Sequence, residues 1–428
     1  MDAEPFGAPP LSAAGARSAA AHLARAEATA QARSDAIAAG AEPPARPAVL
    51  GSGPSAVSLA SALAIAGLPV TLVEPDPHDA TRAGDLLGRF LAREVPGAAW
   101  RVAPAAPEAD LLLAPEPEAL GPAVLVPGPP LAVALAGAPL AELAGQLDDP
   151  GRLIGCTLMP PAHATRLAEI VPLPETAPGL HATAHALAGR LGRIVLDAAG
   201  APLAESLLLA LHDAADRLLI EGVEPWTLDT AMAAFGYDPG PLEAQDLAGL
   251  PALAAARARR ADGPPELPIR PRMLAEGRLG KAAGVGWYRY PGGGGAVIDP
   301  LIEDLIREEA HFAGIGEVPR TADEIREALL LAQIAEAAHL LASGAARGVA
   351  ALDLASVHGA GFPAARGGVL HYAARVDAAR LGAALDRLEG LLLPDRAASL
   401  WRTLAAASDD PAPGMVAFMS DDSPRSGH

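Results

Sequence analysis

The chain has 428 residues, 32 Lys and Arg against 51 Asp and Glu, and a formal charge of −19. With 51% hydrophobic and 19% charged residues it is too apolar for a disordered chain, and it is long enough for two or three domains. So acidic a chain argues against a nucleic-acid backbone or an anionic membrane as main partner, because both select Lys and Arg.

Cys156 is the single cysteine, which excludes an intramolecular disulfide framework and any multi-cysteine zinc site. A reducing, cytoplasmic setting is the natural expectation, and no metal ligands are assigned from spacing. The longest uncharged window, 119–141, holds Pro122, Pro127, Pro129, Pro130 and Pro139, too many missing N–H donors for a lipid-facing helix. The first residues resemble a transit peptide in Arg, Ser and Ala. They also carry Asp2, Glu4, Glu27 and Asp35, so they read as a structural arm.

In chain order, a helix is expected from about Ser18 to Ala38, stopped by the prolines of 41–47. Ala48–Leu50 reads as a short strand, followed by Gly51-Ser-Gly-Pro-Ser-Ala56, a helical pattern to Ala66 and a second strand, Pro69–Val73, ending at Glu74. That is one βαβ unit. Further strand candidates are Asp110–Leu113, Ala123–Val126, Leu153–Gly155 and Arg193–Leu196, alternating with helical segments as a mostly parallel sheet requires. After about Gly200 the strand signals stop. Leu203–Glu221 and Thr227–Phe235 read as helices, and the pattern is helical again from Asp299. The runs 207–210 and 329–332, and Gly222 and Gly344, share an offset of 122 residues. Together with glycine-proline corners at 236–241 and 359–363, this reads as a duplicated helical domain.

The glycine turn has a mechanical meaning. Gly51 makes the tight turn, Gly53 lets backbone approach a pyrophosphate, and Ala56 is small enough for close helix–strand packing. The N–H groups that open the helix, Ser52 and Ser55 among the turn residues, suit phosphate oxygens. Glu74 stands 21 positions after Gly53, where an acid accepts both ribose hydroxyls and selects NAD over NADP. The plainer reading is a tight turn with an accidental acid. Pro54 removes one N–H that a phosphate could use.

Several later segments resemble the 3-hydroxyacyl-CoA dehydrogenase family. Leu153-Ile-Gly-Cys-Thr-Leu-Met-Pro-Pro-Ala-His163 and Arg166-Leu-Ala-Glu-Ile-Val171 are similar to its G-L-H-F-F-N-P-A-H and L-V-E-V-V runs. Asp197 with Gly200 is similar to its D-S-P-G. The segments 234–243, Asp246-Leu247 and 278–288 resemble its helical-domain signature, and 358–368 with Tyr372 resembles the final domain of multifunctional β-oxidation enzymes. The likeness covers about residues 45–395. It implies NAD-dependent oxidation of an L-3-hydroxyacyl-CoA, with a histidine base oriented by a glutamate and asparagines holding the substrate oxygens.

The departures fall on that chemistry. Thr157 stands at the histidine position, and a threonine hydroxyl is no base near neutral pH. Glu169 matches the orienting glutamate. The asparagine positions hold Pro127 and Ala204, with Glu205 in place of the following arginine. His163, which already occurs in the family motif as a non-catalytic residue, reads more readily as a helix-start histidine than as a relocated base. Cys156 reads as a small buried residue. Gly292–Gly295 reads as a linker, Trp287-Tyr288 as packing at a domain junction, and Leu329, Ile334, Ala337 and Leu341 as core.

The expected architecture is a helical arm over 1–46, a shortened, mostly parallel Rossmann α/β domain over 47–198, two duplicated all-α domains over 199–296 and 297–408, and a loose tail over 409–428. The expected function is a 3-hydroxyacyl-CoA dehydrogenase-like protein of β-oxidation with impaired chemistry. It would bind NAD and acyl-CoA, with a β-oxidation partner subunit or a homodimer as assembly. The alternative is an inactive relative serving as a binding or assembly subunit.

Overall fold

The computed structural model describes residues 4–115, 128–133, 140–159, 161–260, 262–388 and 390–408. The strand candidate Ala123–Val126, the asparagine-position Pro127 and the tail 409–428 lie outside them. By internal contacts the chain divides into two units. One comprises 24–203 with 345–347, the other 1–23, 204–344 and 348–428.

The first unit holds the strands β1 (Pro47–Leu50), β2 (Val70–Val73), β3 (Trp100–Ala103), β4 (Leu111–Ala114), β5 (Leu131–Val133), β6 (Leu153–Leu158), β7 (Leu167–Val171) and β8 (Ile194–Asp197). They form one sheet in the order β3-β2-β1-β4-β5-β6-β7-β8. Neighbours run parallel throughout, except that β6 and β7 are antiparallel. The mostly parallel Rossmann sheet expected from sequence is present, and its strands are near-continuous apolar runs, as sheets covered on both faces require.

The helices begin with α1 (Ala13–Ile37), α2 (Pro54–Ile65), α3 (Pro77–Glu94), α4 (Leu140–Ala144) and α5 (Pro178–Arg190). Asp76 caps α3 by accepting the N–H groups of His78 and Asp79, and Ala83, Leu87 and Leu91 recur on its buried side. Leu59 and Leu63 of α2, Leu87 and Leu91 of α3 and Leu180, Ala184 and Leu187 of α5 share one core cluster with Val49, Leu72, Leu113, Ile154, Cys156, Ile170 and Val195. Side chains alternate along a strand, so Thr157 and Glu169 belong to the opposite face of the sheet from this cluster.

The second unit is helical. Its elements are α6 (Leu203–Ile220, whose first residue belongs to the sheet unit), α7 (Pro225–Phe235), α8 (Pro241–Ala248), α9 (Leu250–Ala258), α10 (Ile269–Ala275), α11 (Pro300–Ala313), α12 (Ala322–Ala342), α13 (Val349–His358), α14 (Val369–Ala373), α15 (Ala378–Arg387) and α16 (Pro394–Ser408). A capping box between Thr321 and Glu324 starts α12, which is buried almost all round. Leu329, Ile334 and Ala337 are core residues of this helix and Leu341 is half-buried.

Two helix pairs, termed the first and second repeat, share one hydrogen-bond pattern. Asp229 on α7 accepts the N–H groups of Leu242 and Glu243 at the start of α8, at 2.8 and 2.9 Å. Asp353 on α13 accepts those of Leu370 and His371 at the start of α14, at 2.8 and 3.0 Å. Gly240 and Gly368 precede the two capped helices. A Cβ at Gly240 would meet Asp229 Cγ at 2.5 Å, and one at Gly368 would meet Asp353 Cβ at 2.4 Å.

Trp287 and Tyr288, expected at a domain junction, instead lie inside the first repeat. Their N–H groups donate to Asp246 at 2.9 Å, and the Trp287 indole donates to Gln245 at 3.1 Å. Gly286 is required beside them, since a Cβ there would fall 1.9 Å from Asp246 Oδ1. The glycines at 292–295 sit in a short turn whose flanks, Arg289 and Val297, form an antiparallel bridge. In the second repeat Arg366 is buried, lies 3.8 Å over the Phe235 ring, donates to Phe235 O and bonds Glu4.

Candidate active site

The turn after β1 has the geometry a dinucleotide needs. Gly51 sits at φ +93°, a conformation glycine adopts without strain, and its N–H donates to Val73 O at 2.9 Å. Gly53 is the N-cap of α2, and Pro54 occupies the first helical position, where a missing N–H costs no intrahelical bond. Ser52 and Ser55 are half-buried in this turn, and Ala56 is buried against the sheet. The amides opening α2 have no intrahelical acceptor and present the positive end of the helix dipole. Strand order reverses at β1, between β2 and β4, and the crevice beyond such a switch point is where α/β sheets bind ligands. Glu74 follows β2, with its own N–H on Ala103 O and its Oε1 accepting the Asp76 N–H at 2.9 Å. These residues fit NAD: the α2 amides and Gly53 toward the pyrophosphate, Glu74 toward a ribose.

The antiparallel β6–β7 pair brings Thr157 and Glu169 directly opposite each other. Both are buried, at 6% and 0% exposure, and they are cross-strand neighbours. Glu169 Oε1 accepts the Leu203 N–H at 2.7 Å. Leu203 opens α6, where amides lack intrahelical acceptors and a carboxylate is favoured. The carboxylate therefore anchors the start of a helix, and the residue facing it offers a hydroxyl instead of an imidazole. Ala204 and Glu205 fall in the first turn of α6, both buried.

His163 lies in the turn after β6, its ring 4.8 Å from that of Phe90 on α3. Its buried Nδ1 has no hydrogen-bond partner among the described residues. The turn is pinned around it: Ala162 donates to Ser58 Oγ at 2.7 Å, and Arg193 donates to Ala162 O at 2.7 Å. Cys156 points to the α5 side of β6, and burial pushes its thiol up to about 12, so no thiolate nucleophile is available. A cavity of about 380 Å³ is lined by Arg46, Val70, Thr71, Trp100 and Arg101. It lies at the starts of β2 and β3, the opposite edge of the sheet from the glycine turn.

Sequence reasoning passed over one group of side chains. His181 and His185 converge with Asp197 on the sheet face that α5 covers. The signal was the spacing of four between the two histidines on a helix, which puts them on one side.

Comparison with known proteins agrees with this architecture. Residues 203–290 match the family described as 3-hydroxyacyl-CoA dehydrogenase, C-terminal domain. The peroxisomal bifunctional enzyme of Danio rerio is 32% identical over 272 residues, which is 59% of this chain and 38% of that protein. The Homo sapiens enzyme of the same name is 31% identical over 259 residues, 55% of this chain and 35% of that protein. The chain thus spans well under half the length of these curated relatives. Among solved structures, 3-hydroxybutyryl-CoA dehydrogenase from Escherichia coli K12 superposes with a TM-score of 0.66 at 18% identity, covering 87% of this chain and all of that one. The dehydrogenase part of multifunctional enzyme 1 from C. elegans gives 0.51 at 20% identity, covering 76% and 80%. The structural likeness speaks for the fold. The sequence match to the C-terminal domain of the 3-hydroxyacyl-CoA dehydrogenase family covers residues 203–290, the segment that holds Asp229, Gly240, Asp246 and Gly286.

Proposed function

We propose that this chain binds NAD and an acyl-CoA thioester in the manner of its family, and that its hydride-transfer chemistry is strongly slowed. The observation carrying this reading is the buried pairing of Thr157 with Glu169. NAD held by the α2 amides, Gly53 and Glu74 would supply the hydride acceptor for C3 of a 3-hydroxyacyl group. The chain's own task is to take the hydroxyl proton and hold the oxygen. Thr157 cannot take that proton at neutral pH, and loss of a general base forfeits about 10²–10⁴-fold in rate. Glu169 is engaged with the Leu203 N–H, which favours its anchoring role over service as a substitute base.

The alternative is a wholly inactive relative acting as a binding or assembly subunit, with a second copy or a β-oxidation enzyme as partner. The setting proposed for either is the reducing cytoplasm, read from the single buried cysteine. Among the described residues no helix is long and apolar enough to cross a membrane.

The deciding experiment follows NADH oxidation with acetoacetyl-CoA by absorbance, beside NADH binding by fluorescence. Binding with turnover well below about 1 s⁻¹ supports the proposal. Turnover at or above that rate would overturn it and direct attention to Glu169 and His163. Absence of both binding and turnover favours the assembly subunit.

A further inference from the structure

Three donor atoms meet at the end of β8. Asp197 Oδ1 lies 2.9 Å from His181 Nε2 and 3.0 Å from His185 Nε2, and the two Nε2 atoms lie 3.2 Å apart. His185 and Asp197 are buried, at 1% and 5% exposure, while the His181 side chain is 22% exposed. Each element contributes for a plain reason. His181 and His185 are one helical turn apart on α5, and Asp197 ends the strand that α5 covers.

We infer that His181, His185 and Asp197 form a binding site for a divalent transition metal of the zinc class. Ligand atoms about 2.0–2.2 Å from a zinc ion stand about 3.3–3.6 Å apart at tetrahedral angles. The three donors here form a triangle of 2.9, 3.0 and 3.2 Å, which becomes one face of such a tetrahedron by opening a few tenths of an ångström. Two imidazoles with one carboxylate is a donor set that three-ligand zinc sites use, with the fourth position left to water. The exposed side of His181 is where that fourth position opens.

The surroundings suit ligation. Ser34 Oγ lies 3.0 Å from His185 Nδ1. With the Nδ1 proton donated to Ser34, Nε2 carries the lone pair a metal needs, the outer-shell arrangement that fixes tautomer and ring orientation. Asp197 Oδ2, the oxygen turned away from the imidazoles, lies 3.5 Å from Arg33 Nε and from Arg347 Nη2. Those half-exposed guanidinium groups orient the carboxylate from its far side. By the sheet register Asp197 aligns with Ile170, not Glu169, so this site and the Thr157–Glu169 pair occupy opposite faces. The inference is therefore independent of any dehydrogenase chemistry.

The test uses the untagged 428-residue chain stripped with EDTA. Zn²⁺ alone is titrated calorimetrically, and Co²⁺ is titrated while the visible d–d bands are recorded. The expected result is one equivalent bound with micromolar or tighter affinity, tetrahedral-strength Co²⁺ absorbance and a higher Tm with zinc. His181→Ala, at the partly exposed ligand, weakens binding at least tenfold without unfolding the protein. Ser34→Ala, acting through His185, weakens it about tenfold, and Ser34→Thr restores it. Absence of stoichiometric binding, or binding unchanged in His181→Ala, overturns the site and leaves a metal-free hydrogen-bonded triad.

Discussion

The two helical repeats solve one problem with different third parties. In each, a buried aspartate on one helix accepts the amides of the second and third residues of the next, across a glycine too close for any side chain. In the first repeat the remaining donor is internal, the Tyr288 hydroxyl at 2.9 Å from Asp229 Oδ2. In the second it comes from the other end of the sequence, His22 Nε2 at 2.8 Å from Asp353 Oδ2, with the His22 ring stacked 4.4 Å from that of His371. Each helix pair keeps the contact that shapes its backbone, and leaves the last hydrogen bond to whatever segment is at hand. The arm reinforces this choice: Phe6 is buried, its N–H donates to Glu327, and Tyr372 donates to Pro5 O.

The comparison can be broken at its glycines. Gly368 sits at φ +104°, so an added Cβ meets both strain and Asp353, whereas Gly240 has an ordinary backbone and meets only Asp229. Gly368→Ala should cost about 3–5 kcal/mol and Gly240→Ala about 1–3, read as the drop in Tm and denaturation midpoint. Equal losses would mean that the two corners are equally tolerant. A smaller effect separates the aspartates by pH. Burial raises the Asp229 carboxyl to about 6, against backbone and Tyr288 hydrogen bonds that lower it. The folded state therefore holds that proton more tightly than the unfolded chain. Its stabilising contribution is complete below about pH 4 and disappears as pH rises through about 6. Asp229→Asn should flatten this part of a pH series of urea midpoints. Asp353 is also raised by burial, so Asp353→Asn should flatten a slope of the same sign. The mildest probes are the third donors. Tyr288→Phe leaves a fully enclosed carboxylate short of one bond and should cost about 1–3 kcal/mol. His22→Ala should cost less, because the imidazole is 21% exposed and water can take its place.

How much of this was legible in the sequence follows from where the signals come from. The β1–turn–α2–β2 unit was readable because Gly51, at φ +93°, is demanded by backbone geometry and stands in a spaced glycine pattern that leaves a local mark. Strand β7 was quoted as a motif and not read as a strand, because five residues, all buried, show no alternation. Its antiparallel direction is a tertiary property, and it alone sets Thr157 against Glu169. Strand β3 was missed because its run at the sheet edge is interrupted by the exposed Arg101, and β5 because only three residues follow Pro129 and Pro130. Trp287 and Tyr288 were placed at a junction because aromatic pairs often pack there. Their true partners, Asp246 and Asp229, are 41 and 59 residues away, beyond any local pattern. The convergence of Asp197 with His181 and His185 likewise needs the strand's end and the helix's face in one place.

Cys156 has one more consequence. It is the chain's single thiol, 3% exposed on an interior strand, and burial holds it in its unreactive protonated form. An alkylating reagent can therefore consume it only when the sheet opens, so this sulfur is a built-in clock whose labelling rate reports how often that part of the molecule breathes.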